Sequence, residues 1–260
     1  MSTLEALILG IIQGLAEFLP VSSSGHLEIG KVLLGTSTSE SMMFTVVVHG
    51  ATVLSTLVIF RKEILQLILG LFQFKWNEET KYVAKIVVSM IPVLVVGLLF
   101  EEQLEAMFTG NLVLVGAMLL YTAVLLGFTY FKKNGHKTIS FLDALIIGIA
   151  QAIAVIPGIS RSGSTIATGL LLGNKREEVS KFSFLMVLAP IIGANLLSLK
   201  DADFSAETGI SAISLIVGFL AAFVVGIIAC RLMIKIVNKG KLIWFAVYCA
   251  IVGIIAIIFA

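Results

Sequence analysis

The sequence predicts an all-α polytopic membrane protein, and three observations lead to that prediction. Hydrophobic residues make up 58% of the 260 residues, charged residues make up 13%, and the mean hydropathy is +1.08. A soluble domain carries about 25% charged residues, so most of this chain must face lipid. Apolar stretches long enough to cross a bilayer recur along the chain, and two others are broken by Pro, Gly and Ser.

The composition also excludes several classes of protein. A net charge of only +2, with no long basic block, predicts that nucleic acid is not a partner. Cys230 and Cys249 both lie in apolar runs, which argues against a disulfide framework and against a cysteine zinc site. The expected surroundings are the lipid bilayer itself.

Six stretches are predicted to be transmembrane helices, because each supplies the roughly 20 apolar residues that span a ~30 Å hydrocarbon core. They lie near residues 42–60, 82–100, 111–131, 182–199, 210–230 and 242–260. A shorter apolar run, 64–74, is flanked by Arg61, Lys62 and Lys75. That pattern predicts a helix in the membrane interface rather than a further crossing.

Two broken stretches, residues 4–35 and 141–173, are predicted to be re-entrant helical hairpins. The first is interrupted at 20–25 (PVSSSG) and the second at 157–163 (PGISRSG). Each half has about 15 residues, too few to span a bilayer, and Pro and Gly break the middle.

The two hairpins are copies of each other. At a constant offset of 138, 14 of the 32 pairs from 4/142 to 35/173 are identical, including Gln13 with Gln151 and Ser22 with Ser160. Aligned polar residues at one offset indicate an internal repeat. We therefore predict a first repeat over 1–137 and a second over 138–260, each a hairpin plus three spans, in one integrated membrane domain.

The charge distribution predicts the topology. Segments 61–85, 132–137, 175–181 and 231–241 hold 15 of the 18 basic residues, and the positive-inside rule places them in the cytoplasm. Three spans separate the hairpins, so one opens from outside and the other from inside. The prediction is an inverted-topology repeat with both hairpin tips near the middle of the membrane.

The hairpin tips have the composition of an anion site. Ser22 and Ser160 stand where helix N-caps belong, so two helix N-termini would converge with free N–H groups and positive dipole ends. Arg161 adds a guanidinium, which suits phosphate oxygens. The predicted phosphate-binding set is Ser22, Ser24, Gly25, Ser160, Arg161, Ser162 and Gly163.

The first tip adds groups suited to catalysis. Gln13 and Glu17 are four residues apart and share a helix face, and Ser23 and His26 are three apart on the next helix. One carboxylate, one imidazole and several hydroxyls fit phosphoryl hydrolysis assisted by a divalent cation. His49 lies within a predicted span, where a lone histidine is usually a packing or interhelical hydrogen-bonding residue, and it is left outside the predicted site.

Two motifs resemble those of a known family. QGLAEFLPVSSSGH, from Gln13 to His26, resembles the first signature of the undecaprenyl-diphosphate phosphatases, the bacitracin-resistance family. PGISRSG, from Pro157 to Gly163, resembles the second, and the likeness extends over essentially the whole chain. It implies a multi-pass enzyme of the bacterial plasma membrane that hydrolyses undecaprenyl diphosphate to the monophosphate carrier of cell-wall synthesis. It also implies an active site open to the extracytoplasmic side and a divalent cation, Mg²⁺ or Ca²⁺.

On the matching positions, the resemblance implies catalytic roles for Glu17, Ser23, His26 and Arg161. The first position of the family's carboxylate pair, which is Glu or Gln among its members, is Gln13 here. Gln13 and Glu17 are therefore the expected cation ligands, although an amide cannot act as a base. Ser23 is the expected nucleophile, with His26 as its base or as the acid for the leaving group.

Some alternatives stay open at the level of sequence. Water could attack the phosphate directly instead of Ser23, and the chain could be a monomer or a homodimer. The rival function is a secondary transporter or flippase for an anionic polyprenyl-phosphate lipid, because inverted repeats and broken helices are also transporter features. A transporter needs no nucleophile with a neighbouring base, so Ser23 and His26 favour an enzyme acting on a polyprenyl diphosphate.

Overall fold

The computed structural model describes residues 1–34, 38–107, 110–201 and 210–260, and these residues form an all-helical protein. The helices are α1 Thr3–Ala16, α2 Ser23–Leu34, α3 Thr38–Ile59, α4 Arg61–Leu71, α5 Glu78–Leu99, α6 Glu101–Glu105, α7 Leu112–Tyr130, α8 Phe141–Ile153, α9 Arg161–Leu171, α10 Arg176–Met186, α11 Leu188–Asp201, α12 Ala212–Lys239 and α13 Ile243–Ile258.

The described helices confirm a multi-pass membrane protein. Four segments are long and apolar enough to cross a bilayer, namely α5, α7, α12 and Arg176–Leu197 within α10 and α11. A fifth arises if α3 and α4, which are bent by 75° at Phe60, are taken as one span. The sixth predicted crossing, 242–260, falls on α13, which is apolar but only 16 residues long.

The helices of the two predicted hairpins begin at equivalent positions. α1 and α8 start at Thr3 and Phe141, and α2 and α9 start at Ser23 and Arg161, so both pairs are 138 residues apart. Each first helix also carries a capping box: Ser2 with Glu5, and Ser140 with Asp143. In a capping box two otherwise unpaired N–H groups are satisfied reciprocally, which fixes where the helix begins. α1 contacts α2, and α8 contacts α9.

The first helix of each broken pair packs against a long helix from the other half of the chain. α1 lies on α12 and α8 lies on α5. Small residues allow the close approach: a Cβ on Gly14 would stand 2.8 Å from the Ala222 carbonyl oxygen, and Gly148 lies against the backbone of Ser89. The first helix of each broken pair is therefore packed against the opposite half of the chain.

The four basic segments meet at one end of the helix bundle. The Lys175 N–H donates to the Lys137 carbonyl (3.0 Å), and the Lys181 ammonium lies 5.5 Å from the centre of the Tyr82 ring. The Arg176 guanidinium packs over Gly240, the left-handed residue that ends α12. This common end agrees with the predicted placement of all four segments on one side of the membrane.

Candidate active site

The segments that connect the broken helices contact each other. The Ser162 hydroxyl donates to the Leu19 carbonyl (3.2 Å), and Gly25 lies against Gly158. Gly158 has φ +95° and faces α7 so closely that a Cβ would stand 2.6 Å from the Val115 carbonyl oxygen. Only glycine fits such a position, and it lets the second tip settle against α7.

Both helices that leave the tips are capped by serine, as the sequence predicts. Ser22 Oγ accepts from the Gly25 N–H (3.2 Å), and Ser160 Oγ accepts from the Gly163 N–H (3.1 Å). The capping hydroxyls also lie beside Ser24 and Ser162, at 3.3 and 3.4 Å. Ser22 has φ +71°, a left-handed conformation that is strained for a residue with a Cβ and that is typical of functional sites.

Glu17 is the centre of a buried polar cluster drawn from both halves of the chain. Its Oε2 accepts from the Ser23 hydroxyl (2.8 Å) and from Gln13 Nε2 (3.0 Å). Its Oε1 pairs with the Arg161 guanidinium, 144 residues away. The Glu17 side chain is only 7% exposed, so the ion pair and hydrogen bonds replace the water that a carboxylate requires.

A cavity borders this cluster. It is small, with a volume of about 20 Å³, and is lined by Glu17 and Arg161 together with hydroxyl side chains from α3, α9 and α10. These hydroxyl residues are Thr52, Thr56, Ser162, Thr165 and Ser183. Beyond them, Phe184 contacts both Phe18 and Phe60, with ring centres 5.8 and 6.1 Å apart.

Comparison with known proteins shows the family of the chain. Residues 6–255 match the family described as bacitracin resistance protein BacA. The chain belongs to this family. An undecaprenyl-diphosphatase of Bacteroides thetaiotaomicron is 58% identical over 99% of both chains. A protein of the same name from Christiangramia forsetii is 54% identical over 100% of this chain and 99% of the relative. Another from Methanosphaera stadtmanae is 39% identical over 98% of this chain and 97% of the relative.

His49 lies beside the Glu17 cluster, although the sequence interpretation left it outside the predicted site. Its Nε2 lies 3.7 Å from Glu17 Oε2, and its Nδ1 lies 2.8 Å from the Thr45 carbonyl oxygen. The prediction that His49 lies outside the site was wrong about its position, because helix α3 places the side chain near Glu17 at the tip of the first broken pair. An ionisable residue inside an apolar span was the available signal, since such residues are costly there and usually functional.

The sequence predicts that His26 lies beside Ser23, but in the structure His26 contacts other groups. His26 Nδ1 contacts the Ser22 carbonyl oxygen (2.9 Å), and Nε2 contacts the Tyr248 hydroxyl (2.8 Å), with the two rings stacked 5.6 Å apart. The Ser23 proton points to Glu17 instead. The reason is geometric: residues 23 and 26 share a helix face, but Ser23 turns toward the preceding loop and His26 toward α13.

Glu17 and Gln13 offer oxygen ligands for one hard cation. Gln13 Oε1 is buried and has no hydrogen-bond partner, an arrangement that normally requires a ligand or water. Among the residues that the structure describes, no three His, Cys, Asp or Glu side chains form a metal-binding group. The donors present therefore fit a cation held by a few protein oxygens and completed by phosphate and water, as Mg²⁺ often is.

Proposed function

We propose that this chain hydrolyses undecaprenyl diphosphate to undecaprenyl phosphate and inorganic phosphate in the plasma membrane of a bacterium. The proposal rests on one arrangement. The Ser23 hydroxyl donates to Glu17, and Arg161 pairs with the other oxygen of the same carboxylate. It joins a hydroxyl, its proton acceptor and a phosphate-binding cation in one buried place. Relatives named undecaprenyl-diphosphatase match along the whole chain and give the substrate. The reaction would recycle the lipid carrier for cell-wall synthesis and confer bacitracin resistance.

The architecture proposed for this activity has six crossings and two re-entrant hairpins, α1–α2 and α8–α9, in an inverted repeat. The shared offset of 138 residues and the reciprocal packing of α1 on α12 and of α8 on α5 support it. The site would open toward the extracytoplasmic side, with the polyprenyl tail remaining in the bilayer. The contact between the two tips supports a single site formed by both hairpins.

The proposed chemistry begins with Ser23. Its oxygen attacks the terminal phosphorus, Glu17 takes the hydroxyl proton, and the bond to the bridging oxygen breaks. That proton then passes to the departing undecaprenyl phosphate. Water cleaves the phosphoserine in a second step, in which Glu17 accepts a water proton and returns it to Ser23. Arg161 neutralises phosphate charge throughout, and direct attack by a water that Glu17 activates is the alternative to the covalent route.

A divalent cation, Mg²⁺ or Ca²⁺, is part of this proposal. Glu17 and Gln13 Oε1 would hold it, and it would supply charge neutralisation for the diphosphate. The unpartnered Gln13 oxygen supports this assignment.

The test is phosphate release from a C15 or C55 prenyl diphosphate by the purified full chain, with and without a chelator. Glu17→Ala and Arg161→Ala should each lower kcat/KM by at least ~100-fold, because each removes a charged group at the reacting phosphate. Glu101→Ala and Arg231→Ala change exposed residues of the same types and should retain activity. Substantial activity in Ser23→Ala would remove the covalent route and leave attack by water.

The second candidate function is transport or flipping of an anionic polyprenyl-phosphate lipid. The duplicated broken helices favour it, because such helices also form substrate sites in transporters. Wild-type protein that binds the lipid but releases no phosphate would establish this alternative over the hydrolase. Translocation of a labelled lipid across proteoliposomes would then be the direct measurement.

A further inference from the structure

His49 is held in one orientation and one tautomer. Its Nδ1 lies 2.8 Å from the Thr45 carbonyl oxygen, and a carbonyl can only accept, so Nδ1 carries the proton. In the neutral ring the lone pair is therefore on Nε2. That atom lies 3.7 Å from Glu17 Oε2, beyond hydrogen-bonding distance, so the imidazole faces the carboxylate without a direct bond.

One further oxygen acceptor, on Gln13, lies near the carboxylate that this nitrogen faces. Gln13 donates to Glu17 Oε2 through Nε2 (3.0 Å), which keeps the remaining amide oxygen of Gln13 close to the same carboxylate. That oxygen is buried and unpartnered. A nitrogen lone pair, an amide oxygen and a carboxylate facing one another in a buried place are unfavourable unless something positive binds among them. Arg161 does not fill this role at Oε2, because it pairs with Oε1.

We propose that His49 is a nitrogen ligand of the divalent cation that Glu17 and Gln13 hold. This inference depends on the divalent cation of the proposed function. It changes the expected ligands of that cation from oxygen alone to oxygen and nitrogen. Glu17 Oε2 already accepts from Ser23 and Gln13, so Gln13 would have to turn its amide oxygen, in place of its N–H, toward a cation held there. A mixed nitrogen and oxygen set also accommodates Mn²⁺ and other first-row ions, beside the Mg²⁺ or Ca²⁺ of the proposed function.

The hydrogen bond that would orient His49 as a ligand is already present. Metal-bound histidines usually donate their other ring N–H to a carbonyl or carboxylate, which fixes the ring and raises its basicity. The Thr45 carbonyl does this for His49, one helical turn earlier on α3. Among the described histidines, His26 is less suited because Tyr248 engages its Nε2, and His136 lies exposed in a basic loop.

The test measures nitrogen coordination directly. Mn²⁺ is added to the purified full chain, with and without methylene diphosphonate, and electron spin-echo envelope modulation detects nitrogen coupled to the ion. We expect ¹⁴N modulation in wild type that changes when histidine is ¹⁵N-labelled. It should disappear in His49→Gln and persist in the matched control His136→Gln. The Mn²⁺ dissociation constant of His49→Gln should rise at least about tenfold.

Three outcomes would overturn the inference: no Mn²⁺ binding in wild type, bound Mn²⁺ without histidine coupling, or coupling that survives His49→Gln. The labelled wild type keeps the test decisive even if His49→Gln folds poorly. Phosphate release by the same preparation separates the two proposals. Hydrolysis without nitrogen coupling supports the proposed function and rules out His49 as a ligand. Nitrogen coupling without hydrolysis supports His49 as a ligand and contradicts the proposed function.

Discussion

Ser23 and Arg161 occupy the same position in the two copies of the broken helix pair. Each is the first residue of its helix, and they are 138 residues apart, since 161 minus 23 is 138. Glu17, in contrast, corresponds to Val155 in the second copy. The duplicated scaffold therefore brings two like helix N-termini together, while divergence at single positions gives one tip a serine beside a carboxylate and the other tip a guanidinium.

Thr122 is predicted to position Arg161 without touching substrate. It is fully buried on α7, where its hydroxyl accepts from the Ser160 N–H (3.0 Å) and donates to the Met118 carbonyl (3.1 Å). Thr122→Val keeps the shape and leaves the Ser160 N–H unsatisfied, which costs roughly 1–3 kcal/mol. We expect the loosened tip to shift Arg161 from its place at the phosphate and to lower kcat/KM for phosphate release about tenfold, which corresponds to about 1.4 kcal/mol of lost transition-state stabilisation.

Thr129→Val is the matched control for this change. Thr129 lies two turns further along α7 and donates only to its own helix, at Leu126 (2.6 Å). It should retain wild-type activity. Equal losses in both variants would mean that the hydroxyl at 122 serves the helix and not the tip.

The sequence predicts the residues of the site that lie in its two motifs, but not those contributed by other helices. Spacing and resemblance identify Glu17, Ser23 and Arg161, and the structure brings these together. His49 and Thr122 reach the site only through the packing of α3 and α7 on the tips. Contacts of that kind depend on tertiary arrangement, so the place of His49 within an apolar span marks the residue as unusual but does not show which groups it contacts.

At the scale of helices, glycines set the distance between α1 and α12. A Cβ at position 14 would meet the Ala222 carbonyl oxygen at 2.8 Å and the Gly226 nitrogen at 3.0 Å, both of them backbone atoms that cannot rotate away. We expect Gly14→Ala to lower the free energy of unfolding by roughly 1–3 kcal/mol, the usual cost of overpacking. Thermal unfolding in detergent micelles measures the change.

Gly127→Ala provides the control for helix packing. Nothing lies within 4 Å of a Cβ at Gly127 on α7, so the substitution adds a better helix former without a clash. The control should be as stable as wild type or slightly more so. A Gly14→Ala variant that unfolds at the same temperature as Gly127→Ala would show that α1 and α12 can separate without loss.

Helix boundaries were predictable where Pro and Gly interrupt apolar runs, and less so elsewhere. The breaks at 20–25 and 157–163 overlap the connections between α1 and α2 and between α8 and α9, and the last three residues of each break form the first turn of the next helix. The predicted span 182–199 is instead divided at Val187, three residues before Pro190. Proline lacks an N–H and is accepted in the first turn of a helix, so α11 begins anew there. Pro92, in contrast, lies inside α5 without ending it, because nearby helices can support the freed carbonyl.

For the whole molecule, the reciprocal packing explains how one duplicated unit forms a single site. Each half supplies a broken helix pair, and the long helix that supports this pair belongs to the other half. The ion pair of Glu17 with Arg161 therefore depends on the relative placement of both halves, which links catalysis to assembly of the entire bundle.

The predicted orientation in the membrane can be tested at two loops. Gln103 and His136 are both exposed, the first in the acidic helix α6 and the second in the basic segment 132–137. The positive-inside rule places 132–137 in the cytoplasm and α6 outside. In spheroplasts, a membrane-impermeant maleimide should label the Gln103→Cys variant and leave His136→Cys unlabelled until the membrane is opened. Cys230 and Cys249 are buried and should contribute little background. The reverse labelling pattern would invert the molecule, place the proposed phosphatase site on the cytoplasmic side, and contradict its role in recycling lipid diphosphate from outside.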